Sequence, residues 1–320
     1  MNYSIPLHAV IANRKWEGAL FQRSLSAARQ GFRAVWTFNG AEHDIGAITA
    51  FNGNTSFSGT HAVITIAWPD DKNPRTGGNW WQLLAPDDTA RVKVYLTHRN
   101  GPNGMEAPLM LGVPIPDGTS ETYGGGRETI DLRLEDITGA AGRKRNYPAP
   151  STLAPTIDAR SAASTILGDI PFVCTYPLDP VDSCLERYPN ALMAADNILI
   201  AQQDKLNPLA GQKRIRYGDR DGKIVYRLIE DPATGAPFTK RFPANAHDFQ
   251  YTGAHILGGL TVEPRHIHFT ATRINPYLDL GSRIRIVYPR AALDEIVEII
   301  DMGWRSPDLV ALKCRRQFTL

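Results

Sequence analysis

Apolar and polar residues alternate one by one through much of this chain, the period of strands with one buried face. Phe32, Ala34, Trp36 and Phe38 share a face of one run, as do Ile64, Ile66 and Trp68 of a second and Val92, Val94 and Leu96 of a third. Ile130, Leu132 and Leu134 alternate with Asp131, Arg133 and Glu135. Near the C-terminus Ile267, Phe269 and Ala271 alternate with His266, His268 and Thr270, and Ile284 and Ile286 with Arg283 and Arg285. Each run predicts a half-buried strand. Asn39-Gly40, Asn52-Gly53, Asn100-Gly101 and Asn103-Gly104 predict tight turns, because these residues accept the positive φ that hairpin turns need. Residues 18–30 read as a further strand, although their alanines also suit a short helix. The residues from Asp294 onward predict a final hairpin, broken between Gly303 and Pro307.

The period changes in the middle. Residues 139–160 hold several prolines and no long apolar repeat, which predicts a connection between subdomains. Ser161 is the expected N-cap of a short helix. Residues 190–206 are the strongest helical stretch, with Leu192, Met193, Asp196, Leu199, Ile200 and Gln203 on one stripe and Pro208 as the stop. A strand over Lys223–Ile229 follows the Asp221-Gly222 turn. The pattern is mainly β, with two short helices inserted near the middle.

Composition narrows the classes. With 320 residues, 42% hydrophobic and 21% charged, the chain is long enough for two or three domains and not disordered in bulk. A net charge of +2 makes no general case for nucleic acid. The runs Lys213–Arg216 and Lys313–Arg316 read as solvated strand faces. No stretch approaches the roughly 18 apolar residues of a membrane span, and the first residues lack the pattern of a secretory signal. Cys174, Cys184 and Cys314 show no zinc spacing. Cys174 and Cys184 could close a short loop, whereas a reducing cytoplasm favours buried free thiols.

Candidate chemistry is sparse. His266 and His268 lie two apart on a predicted strand, so both imidazoles face one way and could ligate one metal, with His247 or His255 as a third ligand. That arrangement would make a metal-binding β-barrel enzyme; the alternative is a polar strand face. No nucleophile elbow, phosphate loop or dinucleotide fingerprint is present. Thr122–Glu128 is glycine-rich but precedes a strand, not a helix. Asp70-Asp71 and Asp87-Asp88 suit turns. Trp80-Trp81 could cap a core, form a subunit contact, or stack a sugar in a carbohydrate-binding receptor protein. The residues therefore nominate no catalytic, cofactor-binding or metal-binding position.

The order of the segments carries a resemblance. A short strand leads to a polar turn at Trp16-Glu17-Gly18, then to an Arg-Ser-rich strand. A Pro86-Asp87-Asp88 turn feeds the next strand, a glycine-containing strand follows at 107–118, and the last runs into Glu135-Asp136-Ile137-Thr138. This succession resembles the N-terminal part of phage tail baseplate hub proteins, and residues 161–176, 190–228 and 274–289 continue it, the last through an exposed turn before a strand. Residues 52–80 and 231–260 have no counterpart.

The resemblance implies a mainly β fold, with two tube-like antiparallel β-barrel domains and an inserted α/β region. The implied division is an N-terminal barrel at 1–140, the inserted region at 141–230, and C-terminal strands completing a second barrel at 231–320. It further implies a non-enzymatic structural protein without cofactor, a homotrimeric hub ring joining a tail tube protein to a central spike or tail-tip and fibre proteins. DNA would meet it only as cargo passing through the lumen, and its place would be the virion, after assembly in the bacterial host cytoplasm. Asp136 and Thr138 are then expected to bond the backbone of a sharp corner leading out of the first barrel.

Overall fold

A computed structural model describes residues 30–38, 41–57, 59–67, 90–98, 105–122, 129–148, 155–183, 187–230, 247, 249–272, 275 and 277–316. The N-terminal strands are β1 (Gln30–Phe38), β2 (Ala41–Ile48), β3 (Ala50–Ser56), β4 (Gly59–Ala67), β5 (Arg91–His98), β6 (Met105–Thr122) and β7 (Thr129–Glu135). The predicted alternation holds. Phe32, Ala34 and Trp36 are buried in β1, Ile64 and Ile66 in β4, Val92, Val94 and Leu96 in β5, and Ile130, Leu132 and Leu134 in β7. Val35 is buried as well, because the β1–β2 register slips between Ala34 and Val35. β1 and β2 pair up to Phe38 opposite Ala41, the spacing of the two-residue Asn39-Gly40 link. β6 pairs with β5 by its first half and with β7 by its second, and its register breaks after Pro114, where proline has no N–H to donate.

Asn52-Gly53 is not a turn. Both lie inside β3, and the chain bends instead at Thr49, the single residue between β2 and β3. Gly53 is needed for packing: a Cβ there would fall 2.5 Å from the Phe51 ring, which in turn packs on Phe32 at a centroid distance of 5.1 Å.

Past β7 comes a helix where the sequence suggested a turn and connection: α1 (Ile137–Arg143). Its small residues serve close approach, since a side chain on Gly139 would overlap the Glu135 carboxylate. Next come β8 (Thr156–Ile157) and α2 (Ala159–Leu167). The N-cap of α2 is Asp158; Ser161, the expected cap, is the residue whose N–H the Asp158 carboxylate accepts, at 2.7 Å. β9 (Phe172–Cys174) and β10 (Val181–Asp182) precede the strongest predicted helix. That helix starts at α3 (Ala191–Asp196), capped by Asn190, widens into a π turn over Asn197–Ala201, and finishes as α4 (Gln202–Leu206). Met193, expected on the apolar stripe, is exposed, and Ala191, Ala194, Ala195 and Ile198 are buried instead. Gln203 is fully buried because its amide bonds both the N–H and the C=O of Asp179, closing a loop against the helix.

β11 (Gln212–Gly218) and β12 (Ile224–Glu230) form the hairpin predicted around Asp221-Gly222, where Gly222 takes φ +78°. The C-terminal strands are β13 (Phe249–Thr252), β14 (Ile256–Val262), β15 (His266–Ala271), β16 (Arg283–Tyr288), β17 (Leu293–Ser306) and β18 (Leu309–Arg315). The predicted alternation of β15 and β16 and the final hairpin are present, with Gly303 inside β17 opposite Ala311 and the turn confined to Pro307 and Asp308. The turn before β16, expected to be exposed, buries Leu278 and Leu280.

Thirteen strands form one largely antiparallel sheet, in the path β14-β15-β18-β17-β3-β4-β7-β6-β5-β1-β2, with β16 beside β17 and β13 parallel to β16. Among the described residues this pairing does not close on itself. The N- and C-terminal strands share one hydrophobic core. The helices, with Val113, Ile224 and Tyr226, form a second.

Candidate assembly surface

The two groups of strands meet edge to edge. β17 pairs antiparallel with β3 from Asp301 opposite Ser56 to Trp304 opposite Gly53, so among the described residues this seam of paired backbone joins the N-terminal strands to the C-terminal ones. The inserted β11–β12 hairpin crosses to the C-terminal strands with two arginines. Arg220 bonds the Asp279 carboxylate at 3.2 Å and the Leu278 carbonyl. Arg227 reaches Glu298 on β17 at 2.9 Å, and Arg315 on β18 bonds the other oxygen of the same carboxylate. Glu298 is only 8% exposed, so its charge is held by these two guanidinium groups rather than by water. Gly281, at φ +80°, leaves the room that the Arg227 head fills, and Arg227 also lies over the Phe57 ring at 5.5 Å.

The ends of the sheet path differ in chemistry. On β2, exposed Glu42 and Asp44 reach Lys93 at 2.5 Å and Arg33 at 3.0 Å, and Arg33 also forks onto both oxygens of Glu106 at 2.7 Å. The Glu106 hydrogen bond is the largest cause raising the Arg33 pKa. Charge of this kind protects an edge from unwanted pairing. β14 carries no charged residue, exposes 62% of Leu257, and has open space around Gly258 and Gly259.

The basic runs are solvated faces only in part, since Lys213 is exposed as expected but the arginines are engaged. Arg214 is 7% exposed, bonded to Asp204 and stacked over Tyr176, and Arg216 bonds Asp196 at 2.6 Å. Asp196 also accepts from the Tyr226 hydroxyl, and burial raises its pKa despite the pull of Arg216. Arg316 bonds Glu295 at 2.8 Å. These arginines pair with carboxylates of the same chain.

His266 and His268 do share a face of β15, with ring centroids 6.2 Å apart. The nearby carboxylate precedes them: Glu263 lies 3.9 Å from His266 Nδ1 and 3.7 Å from His268 Nε2. His255 is engaged elsewhere, its Nδ1 accepting from the Thr252 N–H at 3.1 Å. Among the described residues no group of three or more His, Cys, Asp or Glu is placed to hold a metal ion. Trp80, Trp81, Cys184, Thr122–Glu128 beyond Thr122, and the acidic pairs Asp70-Asp71 and Asp87-Asp88 lie outside the described residues. Cys174 and Cys314 are buried free thiols, and burial pushes both pKa values up. In a Cys184→Ser variant, a thiol reagent such as Ellman's is therefore expected to label neither cysteine until the chain is unfolded by denaturant; rapid labelling of the native chain would contradict this burial.

Sequence reasoning missed Glu298. Its signal was a lone acid inside the apolar run Ile296-Val297-Glu298-Ile299-Ile300.

No family model matches the chain, and no curated protein matches by sequence. Solved structures do. The tail protein from Neisseria meningitidis MC58 superposes with a TM-score of 0.54 at 10% identity, over 89% of this chain and 97% of that one. The 43 kDa tail protein of prophage MuSo2 from Shewanella oneidensis gives 0.52 at 10% identity, over 89% and 98%. A Francisella PdpA-VgrG complex in its half-lidded form gives 0.51 at 10% identity, over 100% of this chain and 66% of that one. Over 89% of its length, the chain has the fold of these two tail proteins.

Proposed function

We propose that the chain is a structural, non-enzymatic component of a phage tail or related injection machine, acting as a hub ring between the tail tube and the spike or tip. The observation that carries this is the fold match to two tail proteins, one of them from a prophage, over 89% of this chain and nearly all of theirs. Residues 1–140 and 231–320 are read as two barrel units and 141–230 as the part inserted between them. The continuity of β2 into β3 through Thr49 supports the first barrel, because one bent strand can pair with β1 by its first half and β4 by its second. The short link from β13 to β14 supports the second in the same way, since β13 pairs with β16 and β14 with β15.

Three such chains would place six barrel units around an axis, matching a hexameric tube protein above and a spike or fibre-bearing protein below. Closure of that ring would cover sheet edges that a single chain leaves open. DNA would pass through the lumen without specific binding, in line with a net charge of +2. The location is the virion, following assembly in the host cytoplasm. Light scattering or mass photometry on the purified chain tests the oligomer: the expected species is three times 35.3 kDa, and a monomer in every condition, including with the tube protein present, would overturn the reading.

A further inference from the structure

We propose that the ring is closed by a repeat of the chain's own seam: β14 of one copy pairs antiparallel with the second half of β6 of the next copy, as β3 pairs with β17 inside each chain. This deepens the hub-ring reading above and rests on it. The sheet path contains one order twice. β14-β15-β18-β17 is followed by β3-β4-β7-β6, and the step from the first set to the second is the β17–β3 seam. The two sets match in detail. β6, of 18 residues, and β17, of 14, each pair by their first part with the preceding strand, β5 or β16, and by their second with the following one, β7 or β18. β7 then pairs with β4 and β4 with β3, as β18 pairs with β15 and β15 with β14.

β14 thus stands where β3 stands, and β6 where β17 stands. β17 gives the edge beyond β16, from Asp301 to Trp304, to β3. β6 pairs with β5 only as far as Gly112, and among the described residues no strand takes that edge from there to Thr122. β14 likewise has one strand neighbour among the described residues, β15, and its exposed Leu257 and Val262 carry no charge to discourage pairing. A contact between two different surfaces, repeated head to tail, makes a ring when its rotation closes. The paired rows fix the register. Gly53, Ala62 and Leu134 stand opposite one another in turn, and so do Val262, Ile267 and Cys314. Leu132 and Leu312, two residues before Leu134 and Cys314, face Thr119 of β6 and Met302 of β17. Asn54 opposite Gly303 inside the chain therefore becomes Glu263 opposite Ser120 between chains.

Cysteine cross-linking of the full chain in a Cys184→Ser background reads this contact, because residues directly opposite in antiparallel strands lie within reach of a disulfide. Ser120 and Glu263 are both exposed. Under mild oxidation the Ser120→Cys/Glu263→Cys chain is expected to shift on non-reducing gels from 35.3 kDa to two and three times that mass. Each single-cysteine chain is expected to stay at the mass of one copy. Glu42→Cys/Glu263→Cys, which probes β2 at the other end of the path, is expected not to shift. Mass photometry before oxidation separates the contact from the ring. A three-chain species in which the Ser120/Glu263 pair does not cross-link, or cross-links no faster than Glu42/Glu263, would overturn the contact and leave the ring reading standing. A monomer in every condition, including with the tube protein present, would overturn both.

Discussion

Glu298→Ala is expected to destabilise the chain by about 3–5 kcal/mol, the cost of removing one partner from a buried ion pair and leaving the other uncompensated. The expectation is at the upper end because two guanidinium groups depend on this one carboxylate, and the side chains of Glu298, Arg227 and Arg315 are 11%, 19% and 12% exposed. Arg227 belongs to the inserted hairpin and Arg315 to the last strand, so the loss should loosen the inserted region from the C-terminal strands. Denaturant melts with tryptophan fluorescence measure the change. The triple variant Glu298→Ala/Arg227→Met/Arg315→Met separates charge from packing. It should be more stable than Glu298→Ala alone, since removing all the buried charges costs less than stranding two of them. If the single variant melts like wild type, the bridge does not hold these regions together.

Asp136→Ala is expected to cost about 2–4 kcal/mol, the sum of a lost helix cap and an orphaned buried N–H. Asp136 is 3% exposed and does three jobs with one carboxylate. One oxygen caps α1 by accepting from the Thr138 N–H at 2.8 Å and from the Thr138 hydroxyl. The other accepts from the Thr60 N–H at 2.8 Å, and the Asp136 N–H bonds back to the Thr60 carbonyl at 3.1 Å. The corner leaving β7 is therefore tied to the start of β4 and to the first turn of the helix at once. Asp136→Asn keeps a cap acceptor but replaces one oxygen by a donor that cannot accept from Thr60, so it should lose about half as much. Equal losses for Asn and Ala would show that the cap contributes little.

This corner also shows where the sequence was legible. Asp136 and Thr138 were both expected to bond the backbone of a corner; Asp136 does so, whereas the Thr138 hydroxyl donates to the Asp136 carboxylate instead. The helix after the corner was not announced, because Gly139, Ala140, Ala141 and Gly142 have the composition of a turn and only the Glu135 carboxylate packed on Gly139 explains why a small residue is needed there. The strands were legible wherever one face is buried, since alternation records that directly. Asn52-Gly53 failed as a turn because Gly53 is there for the Phe51 ring, a contact invisible in a dipeptide. Met193 failed because the buried face of the helix is built from Ala191, Ala194, Ala195 and Ile198, and small alanines at that spacing signal a close-packed face less plainly than a large apolar side chain does. The arginines of the basic runs departed from expectation for a third reason. Their partners, Asp204, Asp196, Glu298 and Glu295, come from other elements, so pairing and burial appear only once the chain is folded.

The central claim is that this chain builds a ring in which each copy supplies two strand units. Electron-microscopy class averages of the purified oligomer, with and without the hexameric tube protein, test it most directly. The account predicts a closed ring of three chains, showing six similar lobes around an open lumen and stacking coaxially on the tube. A compact particle with no lumen, or an open chain of copies that never closes, would contradict it.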